Sequence, residues 1–322
     1  MFLYTIRRLG WAALLCLVLS LLTFVMFYVV PREGRVQRLR GTFTDVQRAQ
    51  QFSGPVVVQY GRWVSRVARG SMGRSYVNRQ PVSDILLAAT PVTLSLTIGG
   101  AVLWLLIAIP LGIFTALWPR SPLDRASTVL VLVGISTHPL WLGLILSYVF
   151  GYTLHALPVT GYCDFVSPST TCGGPVQWFI HLLMPWFTFA LVFVAIYVRM
   201  IRASVTEALQ EDYVRLARAK GMTEWAALRK HALPNALISV VPMVAMDISR
   251  FALPTALFVE TAFGLPGVGR VLRDALIRND LPVIVGVVVV STLVICALNF
   301  VGELFQVVVD PRVKVRAAPA PA

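Results

Sequence analysis

Charged side chains are scarce in this sequence. Asp, Glu, Lys and Arg make up 13% of its 322 residues, where a soluble domain carries roughly 25%. Acidic residues are the rarer sign, 15 against 28 Lys and Arg, which leaves a net charge of +13. The four histidines are scattered and the four cysteines form no C-x-x-C, so no zinc-ligand spacing is present. H-E-x-x-H and G-x-S-x-G are missing, which removes the usual sequence grounds for an intramembrane enzyme. G-x4-G-K-[ST] is missing as well, so the chain has no such cradle for the phosphates of ATP.

Apolar residues are abundant, 57% of the chain, with a mean hydropathy of +0.74. Runs long enough to cross a bilayer, about 20 residues each, occur at 9–30, 91–117, 126–152, 176–198, 237–260 and 281–309. These predict an all-α integral membrane protein with six transmembrane helices and both termini on one side. The first run is too long for a signal-peptide core and lacks a small-x-small cleavage site, so it reads as a retained helix. Arg7, Arg8, Arg120, Arg125, a basic cluster within 199–230, and Arg312, Lys314 and Arg316 fall on one side, whereas 153–175 has no Lys or Arg. That contrast places both termini in the cytoplasm. The ten arginines of 31–90 run against it, but loops near 60 residues are exported largely regardless of charge. The positive balance therefore suits anionic lipid headgroups on the inside and, for the outer loop, an acidic protein or a solvated surface, and gives no reason to expect nucleic acid.

Between the fourth and fifth runs lies a polar segment with strong patterning. Ile201, Val205, Ala208, Leu209, Tyr213 and Leu216 recur at helical spacing, with Glu207, Glu211, Arg215 and Arg218 on other faces. Gly221 is placed to end this helix in a left-handed cap, and Arg218 and Lys220 suit its negative end. Thr223 can cap a second short helix through Trp225 and Leu228, stopped by Pro234. Ala217, Gly221, Leu233 and Pro234 stand in the order A-x3-G-x11-L-P. This resembles the cytoplasmic coupling loop of ABC-importer permeases, which inserts into a separate ATPase chain; the plainer alternative is a linker between two spans.

Other strings extend the resemblance to the peptide, dipeptide, oligopeptide and nickel branch of those permeases. They are Tyr4, Arg7, Arg8 and Leu9; Gln59-Tyr60 with Trp63; Gly73-Arg74-Ser75; Pro81-Val82; Pro91 with Thr93 and Leu94; and Arg215-Leu-Ala-Arg-Ala-Lys-Gly221. Glu260-Thr-Ala-Phe263-Gly264-Leu-Pro266-Gly267-Val-Gly269-Arg270, Asp280-Leu-Pro282 and Asp310-Pro-Arg-Val313 follow in the same order. The similarity covers about 1–30 and 55–316. Ser71 stands where the branch usually has Asp, and 31–54 and the Cys163 to Cys172 loop look unlike typical members.

The resemblance implies a type I ABC-importer permease fold in a bacterial inner membrane. It implies a second homologous permease, two ATPase subunits that hold ATP and Mg while this chain binds no cofactor or metal, and an extracytoplasmic binding protein that delivers a peptide. Nickel-chelate and glutathione-type importers share the scaffold. An ion-coupled secondary transporter would instead show internal repeats and several intramembrane carboxylates, and neither is evident. The expected organisation is an N-terminal segment and first helix at 1–30, an extracytoplasmic region at 31–90, a permease core at 91–310 with its coupling loop at 199–236, and a cytoplasmic tail at 311–322. Glu211, Arg215 and Arg218 would supply polar contacts to the ATPase, with Ala217 and Gly221 allowing close approach.

Asp247 and Arg250, three apart in the fifth run, read as lining of the path or as a structural ion pair, with Pro254 kinking the helix downstream. Phe263, Gly264, Pro266, Gly267 and Gly269 read either as an outer gate that meets the binding protein or as a turn. Cys163 and Cys172 are expected to pair in an exported loop, and Cys16 and Cys296 to be small buried side chains. His138 and His181 read as satisfied core residues. Tyr60, Trp63, Val64 and Val67 form one face of a helix suited to the membrane interface, and Ser83 is a candidate cap for the second span.

Overall fold

The computed structural model describes residues 10, 14, 17, 18, 20–22, 25, 56–165, 172–238 and 240–309. Most of the expected first span, all of 31–54 and the tail from 310 therefore lie outside the described residues. Among those described the chain is helical, with two isolated β-bridges and no strand. The helices are α1 (Val56–Ala68), α2 (Val82–Leu117), α3 (Pro122–Ser136), α4 (Pro139–Leu146), α5 (Pro175–Gln210), α6 (Asp212–Ala219), α7 (Glu224–Ala227), α8 (Leu233–Ile238), α9 (Val240–Phe263), α10 (Val268–Arg278) and α11 (Leu281–Val309). Two π-helical turns, Ser147–Thr153 and Leu228–Ala232, extend α4 and α7.

By length and composition, Val82–Leu117, Pro175–Gln210 and Leu281–Gly302 can each cross a membrane, and α3 with α4 and its π-turn make a fourth if counted as one bent span. The third expected span is thus not a straight helix: it turns by 109° between Ser136 and Pro139. Pro139 disfavours helical backbone at the residue before it, and Thr137 and His138 are extended. His138 is consequently exposed, accepts the Leu140 N–H at its Nδ1 over 3.3 Å, and rests edge-on against Phe258. It is a helix cap and not a core residue. The second span starts nine residues earlier than expected, at Val82, with Ser83 inside its first turn and not capping it.

The described chain divides into two compact units, one drawn from Met1–Ala89 and Val271–Cys296, the other from Thr90–Arg270 and Ala297–Ala322. In the first unit, Tyr60, Val64 and Val67 pack with Val289 against Val285. Tyr60, Val64 and Val67 of the expected face of α1 are thus partly covered by their own chain. Asp280, buried, accepts from the Ser75 hydroxyl and from the Tyr76 amide at 3.0 Å, which joins the Gly73-Arg74-Ser75 turn to the Asp280-Leu-Pro282 string.

The second unit is built around α5, which packs against α3, α4, α8 and α9. Trp104 of α2 is fully buried and stacks on Phe193 at 4.3 Å and Phe189 at 6.1 Å. Helices in lipid gain little from burying apolar area and associate through close packing, which small residues permit. A Cβ at Gly100 would meet the Phe189 ring and one at Gly112 would meet Ile201, so both glycines are where α2 presses on α5.

Candidate functional site

The polar segment after α5 forms a compact, largely exposed motif. The expected helix through Gly221 breaks at Glu211, whose backbone is extended at φ −66°, ψ 145°, so α6 starts afresh at Asp212. The break rotates the buried face. Ile201, Val205 and Ala208 are buried before it, but Val214 and Ala217 are buried after it, while Tyr213 and Leu216 point outward. Ala217 is only 7% exposed, packed within the chain.

Gly221 has φ +88° and ends α6 in a Schellman cap: its N–H donates to the Arg218 carbonyl at 2.9 Å, and the Met222 N–H to the Ala217 carbonyl at 3.3 Å. A Cβ there would have nothing within 4 Å. Thr223 accepts the Ala226 N–H and caps α7 as expected. Pro234 does not stop the helix. The wider π-turn lets the Leu233 N–H reach back five residues to Leu228, and Pro234 enters at the start of α8, where its missing donor is tolerated.

The exposed surface carries Glu211, Arg215 paired with Asp212 at 3.7 Å, Leu216 at 57% and Trp225 at 56% exposure; half-buried Arg218 reaches Glu224 at 3.4 Å beside it. Towards the end of α5, Arg202 donates from both terminal nitrogens to buried Asp124 of α3, which also accepts the Arg120 N–H at 2.8 Å. The Ser121-Pro-Leu-Asp124 string, a serine cap with an acid three residues on, was the sequence signal for this anchor.

In α9, Asp247 accepts from the Tyr197 hydroxyl of α5 at 2.8 Å. The Arg250 side chain lies outside the described residues, so the expected pairing does too. Pro254 is exposed, and α9 continues through it without a break. Of the gate residues, Phe263, Gly267 and Gly269 are buried, Gly264 has φ +66° and Pro266 is exposed. Gly267 lies against Glu260, which is fully buried and bonded to Thr93 and to the Arg270 amide. This contact joins residues 167 apart in sequence; a carboxylate ending an apolar run was the only local sign of it.

Cys163 and Cys172 form a disulfide with Cα atoms 5.3 Å apart. His181 borders Cys163 and shares its Nδ1 with the Gln177 carbonyl at 2.9 Å. The neighbouring Gly161 N–H donates to the Phe263 carbonyl at 3.1 Å, which ties this loop to the end of α9.

Known permeases and solved structures are similar to this chain. The oligopeptide transport system permease protein AppB of Bacillus subtilis (strain 168) is 31% identical over 97% of this chain and 99% of its own length. The probable D,D-dipeptide transport system permease protein DdpB of Escherichia coli (strain K12) is 32% identical over 96% of both. The crystal structure of an amino acid ABC transporter with histidines shares the fold, at a TM-score of 0.50 and 18% identity, over 70% of this chain and 94% of that one. Residues 108–315 match the family described as binding-protein-dependent transport system inner membrane component, and residues 1–97 match the N-terminal family of the same membrane components. The chain belongs to this family and is a multi-pass inner-membrane permease of an ABC importer, in which ATP hydrolysis falls to separate subunits.

Proposed function

We propose that this permease carries peptides, and that with a second homologous permease it forms the path for di- or oligopeptides handed over by an extracytoplasmic binding protein. The observation that carries the coupling part of this reading is the 211–234 motif, whose Gly221 cap stands in open space beside exposed Leu216 and Trp225. A connector has no need to hold apolar side chains in water on so ordered a frame, whereas a docking surface does. Similarity to an oligopeptide permease and a D,D-dipeptide permease supports peptides as cargo. In this reading both termini and the loop 199–236 are cytoplasmic, and two ATPase subunits bind ATP and Mg there. Glu211, Arg215 and Arg218 contact them at the rim, with Gly221 leaving room and Leu233 and Pro234 closing the motif. Asp247, Arg250 and Pro254 line the path, and Phe263, Gly264, Pro266, Gly267 and Gly269 belong to its outer face.

The test is reconstitution with the partner subunits and labelled di- and oligopeptides. Gly221→Asp should leave membrane insertion and co-purification with the sister permease intact while uptake and substrate-stimulated ATP hydrolysis collapse. Near-normal uptake by that variant would reduce the loop to a connector. Saturable uptake of a nickel chelate with no uptake of peptides would redirect the cargo.

A further inference from the structure

We propose that Glu260 is a positioning residue for transport: reaching from α9, it caps the first turn of α10 and, with Thr93 of α2, holds the Phe263–Gly269 turn as a fixed abutment for the binding protein. The turn is then not a moving flap. This rests on the reading of that turn as the outer face of the path.

The geometry is a closed chain of donors and acceptors. The Val268 N–H donates to the Thr93 hydroxyl oxygen at 2.8 Å, which leaves the Thr93 proton for Glu260 Oε1 at 2.6 Å. The Arg270 N–H donates to Glu260 Oε2 at 2.9 Å. Two amides of the first turn of α10 are thus satisfied by side chains from two other helices. A helix normally receives this service from the residue just before it. Here that residue is Gly267, which has no side chain, and a Cβ on it would run into the Glu260 carboxylate.

The remaining contacts point the same way. The Leu265 N–H closes onto the Glu260 carbonyl at 2.9 Å, and the Arg270 guanidinium donates to the Gly264 carbonyl at 2.6 Å. A Cβ at Gly269 would meet the Leu257 backbone, so the first turn of α10 lies directly on α9. Each glycine of the Phe-Gly-Leu-Pro-Gly-Val-Gly string answers to one of these contacts. Opening the turn would strip a fully buried carboxyl group and the amides it serves of their hydrogen-bond partners, and buried polar groups left unpaired are costly. Motion during transport is therefore expected elsewhere.

Hydrogen exchange on the assembled transporter in lipid nanodiscs tests the proposal, read on peptides covering 261–270. Protection of the Val268 and Arg270 amides is expected to be the same in the nucleotide-free and ATP-trapped states; its loss in either state overturns the proposal. Thr93→Ser should keep that protection, and Thr93→Val should speed exchange at Val268 by about tenfold, the scale of one lost buried acceptor. Gly267→Ala should disturb exchange alone but add nothing to Glu260→Ala, because the clash it creates is with the side chain already removed. Multiplying effects in the double variant overturn the proposal, and the wild-type comparison stands if any variant fails to accumulate. In uptake assays, Thr93→Val should raise the half-saturating concentration of binding protein while keeping the maximal rate per transporter. A normal half-saturating value alongside disturbed exchange overturns the outer-face reading, whereas the exchange results judge the clasp.

Discussion

Ala217 and Gly221 stand four residues apart in one motif and have opposite surroundings. Ala217 is packed inside the chain, whereas Gly221 faces open space with a left-handed backbone. Substituting Gly221 by Ala therefore meets no steric obstacle within the chain, and its expected cost is about 1 kcal/mol of backbone strain. We predict a small drop in the thermal unfolding midpoint of purified Gly221→Ala but a larger proportional loss of uptake, since the added methyl faces open space on the proposed docking side. Asp124 offers a contrasting case. Removing it strands Arg202, but that side chain is 37% exposed and water screens the loss. Asp124→Ala should then destabilise by about 1–2 kcal/mol, below the roughly 3–5 kcal/mol of a fully buried pair. Arg202→Leu combined with Asp124→Leu should recover most of it in detergent unfolding measurements.

At the level of elements, local chemistry was legible in the sequence and long-range pairing was not. The Gly221 cap and the Thr223 cap follow from residues adjacent to the bonds they make. The break at Glu211 was hidden because no proline or glycine marks it and the apolar rhythm runs on across it. Pro234 misled for the opposite reason: it is a strong stop signal, but a π-turn ahead of it absorbs the missing donor. Proline at 139 does break its span, and there the mechanism gives a prediction. Pro139→Ala frees His138 to become helical, so α3 and α4 should tend to merge. Spin labels at exposed Val129 and Ile145 would then move towards about 24 Å, the separation of 16 residues along a straight helix. An unchanged distance would show that Thr137 and the Phe258 contact hold the bend without proline.

For the whole molecule, the apolar runs were enough to read an all-α membrane protein, because a bilayer imposes its thickness on the linear sequence, whereas the permease was legible only through the resemblance of its motifs to a known family. The buried Glu260 to Thr93 contact was out of reach, since nothing local says which helices lie beside one another. Sidedness itself yields a prediction. With a membrane-impermeant maleimide, Lys220→Cys should label only after the membrane is opened, and a cysteine at exposed Tyr152 should label in intact cells or spheroplasts. The reverse pattern would invert the proposed topology.

The Cys163 to Cys172 bond, which spans nine positions, also bears on how the protein is made. So small a ring removes only about 2.6 kcal/mol of unfolded-chain freedom, too little to hold the molecule together, yet it fixes the entry to α5 and, through Gly161, the end of α9. The bond requires an oxidising compartment, so under the proposed topology it closes only once this loop has crossed the membrane. A host without thiol oxidation on that side should accumulate inserted permease whose later helices meet an unformed seat, and the shortfall should appear as slow maturation, seen by pulse-labelling, before it appears as reduced stability.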